Sequence, residues 1–361
     1  MDISVTGGTG FLGAHAVAEL VRRGHRVRVL ARDPERLAPA LAPFGVDPGV
    51  VGLVEGDVVD ETAVTRLVLG ADAVLHAASV YSFDSRRRAE MRRTNERGTE
   101  VVLGAARASG AGRIVHVSTV GALYPSPSAT IGAESPVAAP KETYLATKAA
   151  ADRVARRHAA EGAPVVISYP SALIGPDDPY VGDQNARLRN VLRGLMPFWP
   201  SRGLPIGDVR DTAVLHADLL TGPDFGARAR VFGPGHWVPT SRYLTVLRAV
   251  TGRALPALFL PPRAMVPVGR FADLVQRVWP WNIPAEYGAI YVCAVAVPVD
   301  GDPAVTGGVV ARPLSETVCD TVAWLHRAGL LTDRQAGAAV VRPPADGPVL
   351  AGSAGRGEGQ S

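Results

Sequence analysis

The sequence predicts an α/β fold: a doubly wound parallel sheet with a smaller C-terminal lobe. Three observations predict it. Up to Tyr169 the chain alternates short β-branched runs with helical segments, the pattern of a parallel sheet covered on both faces. A glycine-rich turn, Gly7 to Gly13, joins the first strand candidate to the first helix candidate. After Pro170 the alternation gives way to Pro and Gly punctuation with scattered helical segments.

Taken in order, the strand candidates are Ile3–Thr6, Arg26–Ala31, Val51–Glu55, Ala73–His76, Arg113–Ser118 and Pro164–Tyr169. Helical periodicity lies between them, near Phe11–Arg23, Glu61–Leu69, Arg88–Ala108 and Glu142–Ala160. Right-handed crossovers then place helices on both faces of the sheet. Residues 1–170 are read as the nucleotide-binding domain. Residues 171–335 are read as a lobe interleaved with it, folded back over the carboxyl ends of the strands. Its helices are expected near Asn185–Arg193, Thr212–Leu220, Ser241–Val250, with Ser241 as N-cap, and Leu314–His326. Residues 343–361 are rich in Gly, Ala, Pro and Ser and read as a disordered tail.

Composition narrows the function classes. Of 361 residues 47% are hydrophobic, enough for a large core, and the formal charge of +4 is mild. The one local basic cluster is Arg86-Arg87-Arg88 with Arg92-Arg93, read as a solvated helix face, so no nucleic-acid partner is expected. Cys293 and Cys319 form neither a metal spacing nor a disulfide framework. The scattered histidines give no metal site. No basic n-region precedes the first strand, and the longest apolar stretch, Ala289 to Val299, is too short to span a bilayer. A cytoplasmic protein without an integral membrane segment is expected.

The run Val5-Thr6-Gly7-Gly8-Thr9-Gly10-Phe11-Leu12-Gly13 follows a strand and opens a helix. Gly7 permits the tight turn, Gly10 lets the backbone approach a pyrophosphate, and Gly13 allows close helix–strand packing. Free N–H groups at the helix start favour an anion. A glycine triplet alone is a weak signal. Strand before, helix after and a second strand beyond make this a dinucleotide site in a Rossmann-type sheet.

Tyr144-Leu145-Ala146-Thr147-Lys148 places a phenol and an ammonium four residues apart, on one helix face. Of 38 basic residues only Lys141 and Lys148 are lysine, so a lysine inside a motif calls for a reason. A phenol with pKa near 10 is a poor proton relay at neutral pH. A neighbouring ammonium is expected to lower it, and a lysine stem can also hold ribose hydroxyls. Val115-His116-Val117-Ser118-Thr119 ends its strand with two hydroxyl candidates, Ser118 and Thr119.

Together these motifs resemble the extended short-chain dehydrogenases/reductases, the NAD-dependent epimerase/dehydratase family, and within them the dihydroflavonol-reductase and 3-beta-hydroxysteroid-dehydrogenase-like branch. The resemblance runs through Gly56-Asp57-Val58, His76-Ala77-Ala78, Asn95-x-x-Gly98-Thr99, Tyr169-Pro170-Ser171 to Gly175-Pro176, Asp208-Val209-Arg210-Asp211 with His216, and Arg312-Pro313-Leu314. Tyr169 stands where the family has arginine. By this resemblance Gly7, Thr9, Gly10, Phe11, Leu12, Gly13, Arg32, Asp57, Val58, Ala77, Ala78, Tyr144, Lys148 and Pro170 hold the cofactor. Tyr144 is the general acid/base and Lys148 its partner. The family's spacing to the tyrosine selects Thr119 as the hydroxyl that stabilises developing alkoxide charge, with Ser118 as the alternative.

NADP(H) is expected over NAD(H). The second strand ends at Ala31, where NAD-specific sites carry an acid, and Arg32 follows with a fork suited to phosphate. Ala31-Arg32-Asp33-Pro34 resembles the matching segment of NADPH-using dihydroflavonol reductases. If the strand ends later, Asp33 becomes the ribose acid and NAD(H) the cofactor.

Three function classes remain. The leading one is a reductase or dehydrogenase interconverting a ketone and a secondary alcohol. A nucleotide-sugar epimerase and a non-catalytic dinucleotide sensor are the alternatives. Sugar dehydratases of the family place an acid pair after the catalytic threonine, whereas Thr119 is followed by Val120-Gly121. Tyr81, Phe83, Tyr180, Phe198 and Trp199 are the pocket candidates, and an apolar, aromatic lining suits a hydrophobic carbonyl compound. The intact Tyr144/Lys148 pair speaks against a sensor. The expected partner is a small-molecule carbonyl or alcohol. Such folds often pair through helices, so a homodimer is one assembly open to the chain.

Overall fold

In a computed structural model, residues 1–82, 85–223, 229–262, 264–265, 287–301 and 309–341 are described. Six parallel strands carry the first half: β1 Asp2–Thr6, β2 Arg26–Ala31, β3 Gly52–Glu55, β4 Ala73–His76, β5 Arg113–Val117 and β6 Val165–Tyr169. Every residue of β4 and β6 is buried, as expected of strands covered on both faces. A short seventh strand, Arg230–Phe232, comes from the second half and pairs parallel to β6.

The strand order is Arg230–Phe232, β6, β5, β4, β1, β2, β3. The chain therefore reverses direction across the sheet between β1 and β4, which pair in register from Ile3↔Ala73 to Thr6↔His76. At such a switch point the loops leaving two neighbouring strands diverge and open a crevice at their carboxyl ends. Here those loops begin after Thr6 and His76.

Helices cover both faces. The Phe11–Arg22 helix buries Ala16, Val17 and Leu20 against one face, in a core shared with Ala213, Ala217 and Leu220 of the Val209–Thr221 helix. On the other face lie the helices Glu61–Val68, Gly98–Ala108 and Thr143–Ala160. Asp60 caps the first of these by accepting from Thr62 N and Ala63 N.

The lobe has its own core of Leu188, Leu192, Trp199, Tyr243, Leu247, Val318 and Val322. It lies between the helices Asp183–Leu192, Thr240–Thr251 and Leu314–Arg327. A small sheet orders His236–Pro239, Gly203–Asp208 and Ala172–Ile174 side by side. Arg312 ties the start of the Leu314–Arg327 helix to the Val209–Thr221 helix, donating from its backbone N and Nε to the Asp211 carboxylate at 2.9 and 2.8 Å.

Two local readings differ from the structure. Arg88–Ala108 is not one α-helix: Arg92–Arg97 forms a π-helical turn before the Gly98–Ala108 helix. The wider turn accommodates the buried Asn95, and Gly98 lets the helix approach Val58, whose Cγ2 would lie 2.7 Å from a Cβ there. Ser241 is not a cap, because the helix begins at Thr240, whose hydroxyl meets the carbonyls of Pro200 and Arg202. The residues of the expected tail, 343–361, lie outside the described residues.

Candidate active site

The glycine loop occupies the switch point as the sequence requires. Gly7 has φ +79°, and a Cβ there would meet Ala78 N at 2.7 Å and the Ala77 carbonyl carbon at 2.8 Å. A Cβ on Gly13 would lie 1.9 Å from Gly7 O, so helix and loop touch backbone to backbone. No side chain caps the twelve-residue Phe11–Arg22 helix, so its first-turn N–H groups are open to an anion. Phe11 and Thr9 are half-buried at the loop, and Leu12 packs on the core beneath it.

A buried hydrogen-bond chain holds Ala77 and Ala78 over this loop. Thr99 Oγ1 donates to Asn95 O at 2.6 Å, so it accepts from His76 Nε2 at 3.0 Å. His76 Nδ1 then accepts from Thr6 Oγ1 at 2.7 Å, and Thr6 Oγ1 accepts from Ala78 N at 3.3 Å. Burial pushes the His76 imidazole down to about 3, which keeps it in this neutral tautomer. The wall that a cofactor would lie against is thus set by the ends of β1 and β4 together. These glycines, alanines and open N–H groups fit a dinucleotide.

At the adenosine end Arg32 is exposed directly after β2. Asp33 is engaged elsewhere: its carboxylate accepts from Glu35 N at 3.2 Å and pairs with Arg36 Nε at 2.9 Å. Asp57 accepts from Val59 N and lies 3.5 Å from Arg93, while Val58 is buried beneath Gly98.

The Thr143–Ala160 helix carries the second half of the site. Its N-cap is Glu142, whose buried carboxylate accepts from Tyr144 N at 2.9 Å and Leu145 N at 2.8 Å. Tyr144, Lys148 and Asp152 follow at one-turn intervals and all are buried. Lys148 Nζ donates to Val117 O at 2.9 Å. Burial lowers its pKa to about 8, against the opposing pull of Asp152. The Tyr144 phenol is pushed well above its ordinary value by burial, reinforced by Tyr81, Glu142 and Asp183. The folded protein thus raises the phenol where the lysine was expected to lower it, because a buried phenolate loses its hydration.

The two hydroxyl candidates have different surroundings. Ser118 Oγ donates to Asp152 Oδ2 at 2.7 Å in a buried network. Asp152 Oδ1 also receives Arg156 Nε at 2.8 Å and the Tyr169 hydroxyl at 3.2 Å. The tyrosine that replaces the family's arginine therefore shares this carboxylate with Arg156. Thr119 is only half-buried; its Oγ1 accepts from Gly121 N at 3.2 Å and lies 3.5 Å from Pro170 O.

The aromatic candidates are not gathered in one place. Tyr81 stands edge-on to Tyr144, with ring centroids 4.5 Å apart. Trp199 is buried in the lobe core beside Tyr243. Phe198 is 55% and Tyr180 49% exposed, and Tyr180 lies under the Arg36 guanidinium at 5.4 Å. Phe83 lies outside the described residues. Val80, Met91 and Leu145 pack around Tyr144, with Tyr291 and Val292 against them.

Sequence reasoning missed four residues bonded or packed around Tyr144, Lys148 and Tyr81: Glu142, Asp152, Tyr291 and Gln184, whose Nε2 donates to the Tyr81 hydroxyl at 3.0 Å. Only Asp152 had a legible signal, the one-turn spacing after Tyr144 and Lys148. Asn95 belongs to the Asn95-x-x-Gly98-Thr99 motif. It accepts from Val80 N at 2.7 Å and donates to Val80 O and Thr147 Oγ1, both at 3.0 Å, so it ties the loop after β4 to the Tyr144 helix.

Known proteins resemble this chain along much of its length. The chain is 28% identical to sterol demethylase protein B of Methylococcus capsulatus over 345 residues, which is 92% of this chain and 100% of that one. It is 33% identical to a putative dihydroflavonol 4-reductase of Synechocystis over 215 residues, 59% of this chain and 61% of that one. It is 38% identical to 2-alkyl-3-oxoalkanoate reductase of Stenotrophomonas maltophilia over 187 residues, 49% and 52% of the two chains. Among solved structures, gox2253 superposes with a TM-score of 0.72 at 24% identity, covering 92% of this chain and 99% of that one. The Bordetella bronchiseptica enzyme WbmH, solved with NAD+, gives 0.69 at 19%, covering 91% and 99%. Among the described residues no helix is long and apolar enough to cross a membrane. The profile of the NAD dependent epimerase/dehydratase family matches residues 3–226, and the chain is a member of that family of extended short-chain dehydrogenases/reductases, an enzyme of the NAD-dependent oxidoreductase type.

Proposed function

We propose that the protein is an NAD(P)H-dependent oxidoreductase that interconverts a ketone and a secondary alcohol on a fairly apolar small molecule, with Tyr144 as general acid/base. The observation that carries this is the setting of Tyr144. It shares a helix face with Lys148, and Val80, Met91, Leu145 and the ring of Tyr81 surround it. An apolar surround favours an apolar substrate over a diphosphosugar. The reductase names among the relatives support the same reading.

When bound along the glycine loop and the Ala77–Ala78 wall, the nicotinamide cofactor supplies the hydride. The chain's own residues handle the oxygen. The Tyr144 phenol carries its proton at neutral pH and can pass it to a carbonyl oxygen as that oxygen becomes an alkoxide, a far stronger base. Thr119 Oγ1 is the hydroxyl that orients that oxygen, because its donor contact to Pro170 O is long at 3.5 Å whereas Ser118 is committed to Asp152 at 2.7 Å. Lys148 holds positive charge on the same helix face, supporting the phenolate left behind. The lobe, residues 171–335, is the substrate-binding part.

NADP(H) is the preferred cofactor on this reading. β2 ends at Ala31, and the Asp33 carboxylate is taken up by Glu35 N and Arg36. Arg32 is the exposed cation at the strand end, beside an Asp33 side chain that is 47% exposed and held by those two bonds.

The test is NADPH oxidation against a panel of apolar ketones, aldehydes and nucleotide sugars, with Tyr144→Phe beside the wild type. We expect turnover on ketones, reduced by about 100-fold or more in the variant, with cofactor affinity by fluorescence titration nearly unchanged. Wild-type turnover by Tyr144→Phe, or turnover confined to nucleotide sugars, overturns the proposal.

A further inference from the structure

We infer that Tyr81 is a positioning residue for Tyr144, and that its hydroxyl, gripped by the lobe helix Asp183–Leu192, sets the direction of the Tyr144 phenol. This rests on the reading of Tyr144 as general acid/base.

Tyr81 lies after β4 in a stretch with no regular secondary structure, so its ring is placed by its contacts and not by a helix or ladder. It is held at both ends. The backbone of the preceding residue, Val80, exchanges two hydrogen bonds with the Asn95 side chain, at 2.7 and 3.0 Å. At the other end the Tyr81 hydroxyl oxygen accepts from Gln184 Nε2 at 3.0 Å. Arg187, one turn along the same helix, sets its positive charge near that hydroxyl and opposes the upward push of burial on the phenol. Gln184 and Arg187 belong to the lobe, whereas Asn95 belongs to the nucleotide-binding half. Tyr81 therefore spans the two.

The clamped ring meets Tyr144 edge to face, with centroids 4.5 Å apart and planes at 78°. This is a favoured arrangement of two aromatic quadrupoles, and it restricts rotation of the partner ring. The Tyr144 backbone is fixed separately, by Glu142 at its N–H and by Thr147 Oγ1 at its carbonyl. The remaining freedom of the phenol is its side-chain torsion, and Tyr81 packs against that. A displaced proton donor slows transfer even when the residue itself is intact. If Tyr81 were only core packing, its hydroxyl and Gln184 would be dispensable.

The experiment uses the full chain labelled with 13Cζ-tyrosine, so that the eight tyrosines are seen directly. The Tyr144 signal is identified by its loss in Tyr144→Phe, and no substrate is needed. Tyr81→Phe, Tyr81→Leu and Gln184→Leu are compared, with thermal midpoints checking the fold. We expect the Tyr144 signal to move or split in Tyr81→Leu and, less, in Gln184→Leu. With the ketone that turns over best, Tyr81→Leu should lose roughly 10- to 100-fold in kcat with the cofactor KM unchanged. Tyr81→Phe should recover part of that loss. Tyr81→Phe and Gln184→Leu should each cost a few-fold, and the double variant no more than either, because both act through one hydrogen bond. A Tyr144 signal that stays single and in place in all three folded variants overturns the inference, as does full additivity. Wild-type turnover by Tyr144→Phe would sink the acid/base reading instead, and would leave the spectral coupling of the two rings as measured.

Discussion

The Lys148 ammonium is bonded to the Val117 carbonyl at 2.9 Å, in a site that is 4% exposed on the lysine side. That bond fixes the stem of Lys148 beside the end of β5, where Ser118 and Thr119 follow. Burial has lowered the lysine from 10.5 to about 8. Between those values the unfolded chain binds more proton at this position than the folded one, so this group makes stability rise as pH rises. Lys148→Met removes the effect. The stability difference between wild type and variant should shift in favour of the wild type between pH 8 and 10.5, by at most about 3 kcal/mol. Urea unfolding of both proteins across this range checks it, and a constant difference would refute it. The variant should also bind cofactor more weakly and turn over more slowly.

Ser118 and Thr119 should separate stability from rate. Ser118→Ala removes a donor from the buried Asp152 carboxylate and should cost about 1–3 kcal/mol of stability. Thr119→Ala leaves that network whole and should slow turnover by roughly 100-fold. Thermal midpoints and steady-state rates measured on the same preparations decide it. The reverse ranking would mean that Ser118 faces the substrate.

Arg32→Ala should weaken NADPH much more than NADH, by about 2 kcal/mol for a charge-assisted contact. Asp33→Ala should damage the turn at Pro34–Arg36, which Asp33 caps, without creating a preference for NADPH that the wild type lacks. Binding titrations with both cofactors test this. Equal losses for the two cofactors in Arg32→Ala, or a wild type that prefers NADH, would show the 2′-phosphate reading to be wrong.

Asn95→Leu should destabilise the protein by roughly 2–3 kcal/mol, since it strands the Val80 N–H and carbonyl in a site where Asn95 is 2% exposed. It should also reduce turnover, because Asn95 ties the Tyr81 loop to the Tyr144 helix. A variant as stable as wild type in a urea melt would remove the bridge from the account.

Much of this protein was legible in its residues. β2 and β4 have the bounds that periodicity placed, and the other early strands differ by a residue at an end. Buried parallel strands leave a local hydrophobic signature, and a glycine that must touch backbone leaves no substitute. The Tyr144/Lys148 spacing was readable for the same reason: a helix period is a local property. Where an element's partner lies far along the chain, local pattern was silent. The three residues Arg230–Phe232 read as lobe until the fold set them beside β6. The π turn at Arg92–Arg97 depends on Val80 and Thr147, which are distant in sequence.

Tertiary structure alone decided between neighbours of the same chemistry. Ser118 and Thr119 are adjacent hydroxyls, and only the approach of Asp152 from the Thr143–Ala160 helix gives them different surroundings. Sequence left Asp33 open as an alternative ribose acid, and only the fold shows its carboxylate bonded to Glu35 N and Arg36. Five aromatics were equal pocket candidates by composition. Packing set Tyr81 against Tyr144 and sank Trp199 into the lobe core. The sequence determines the backbone path and the chemical inventory, because both rest on short-range sterics and periodicity. Which polar group meets which is a long-range outcome, set when burial forces each donor and acceptor to find a partner.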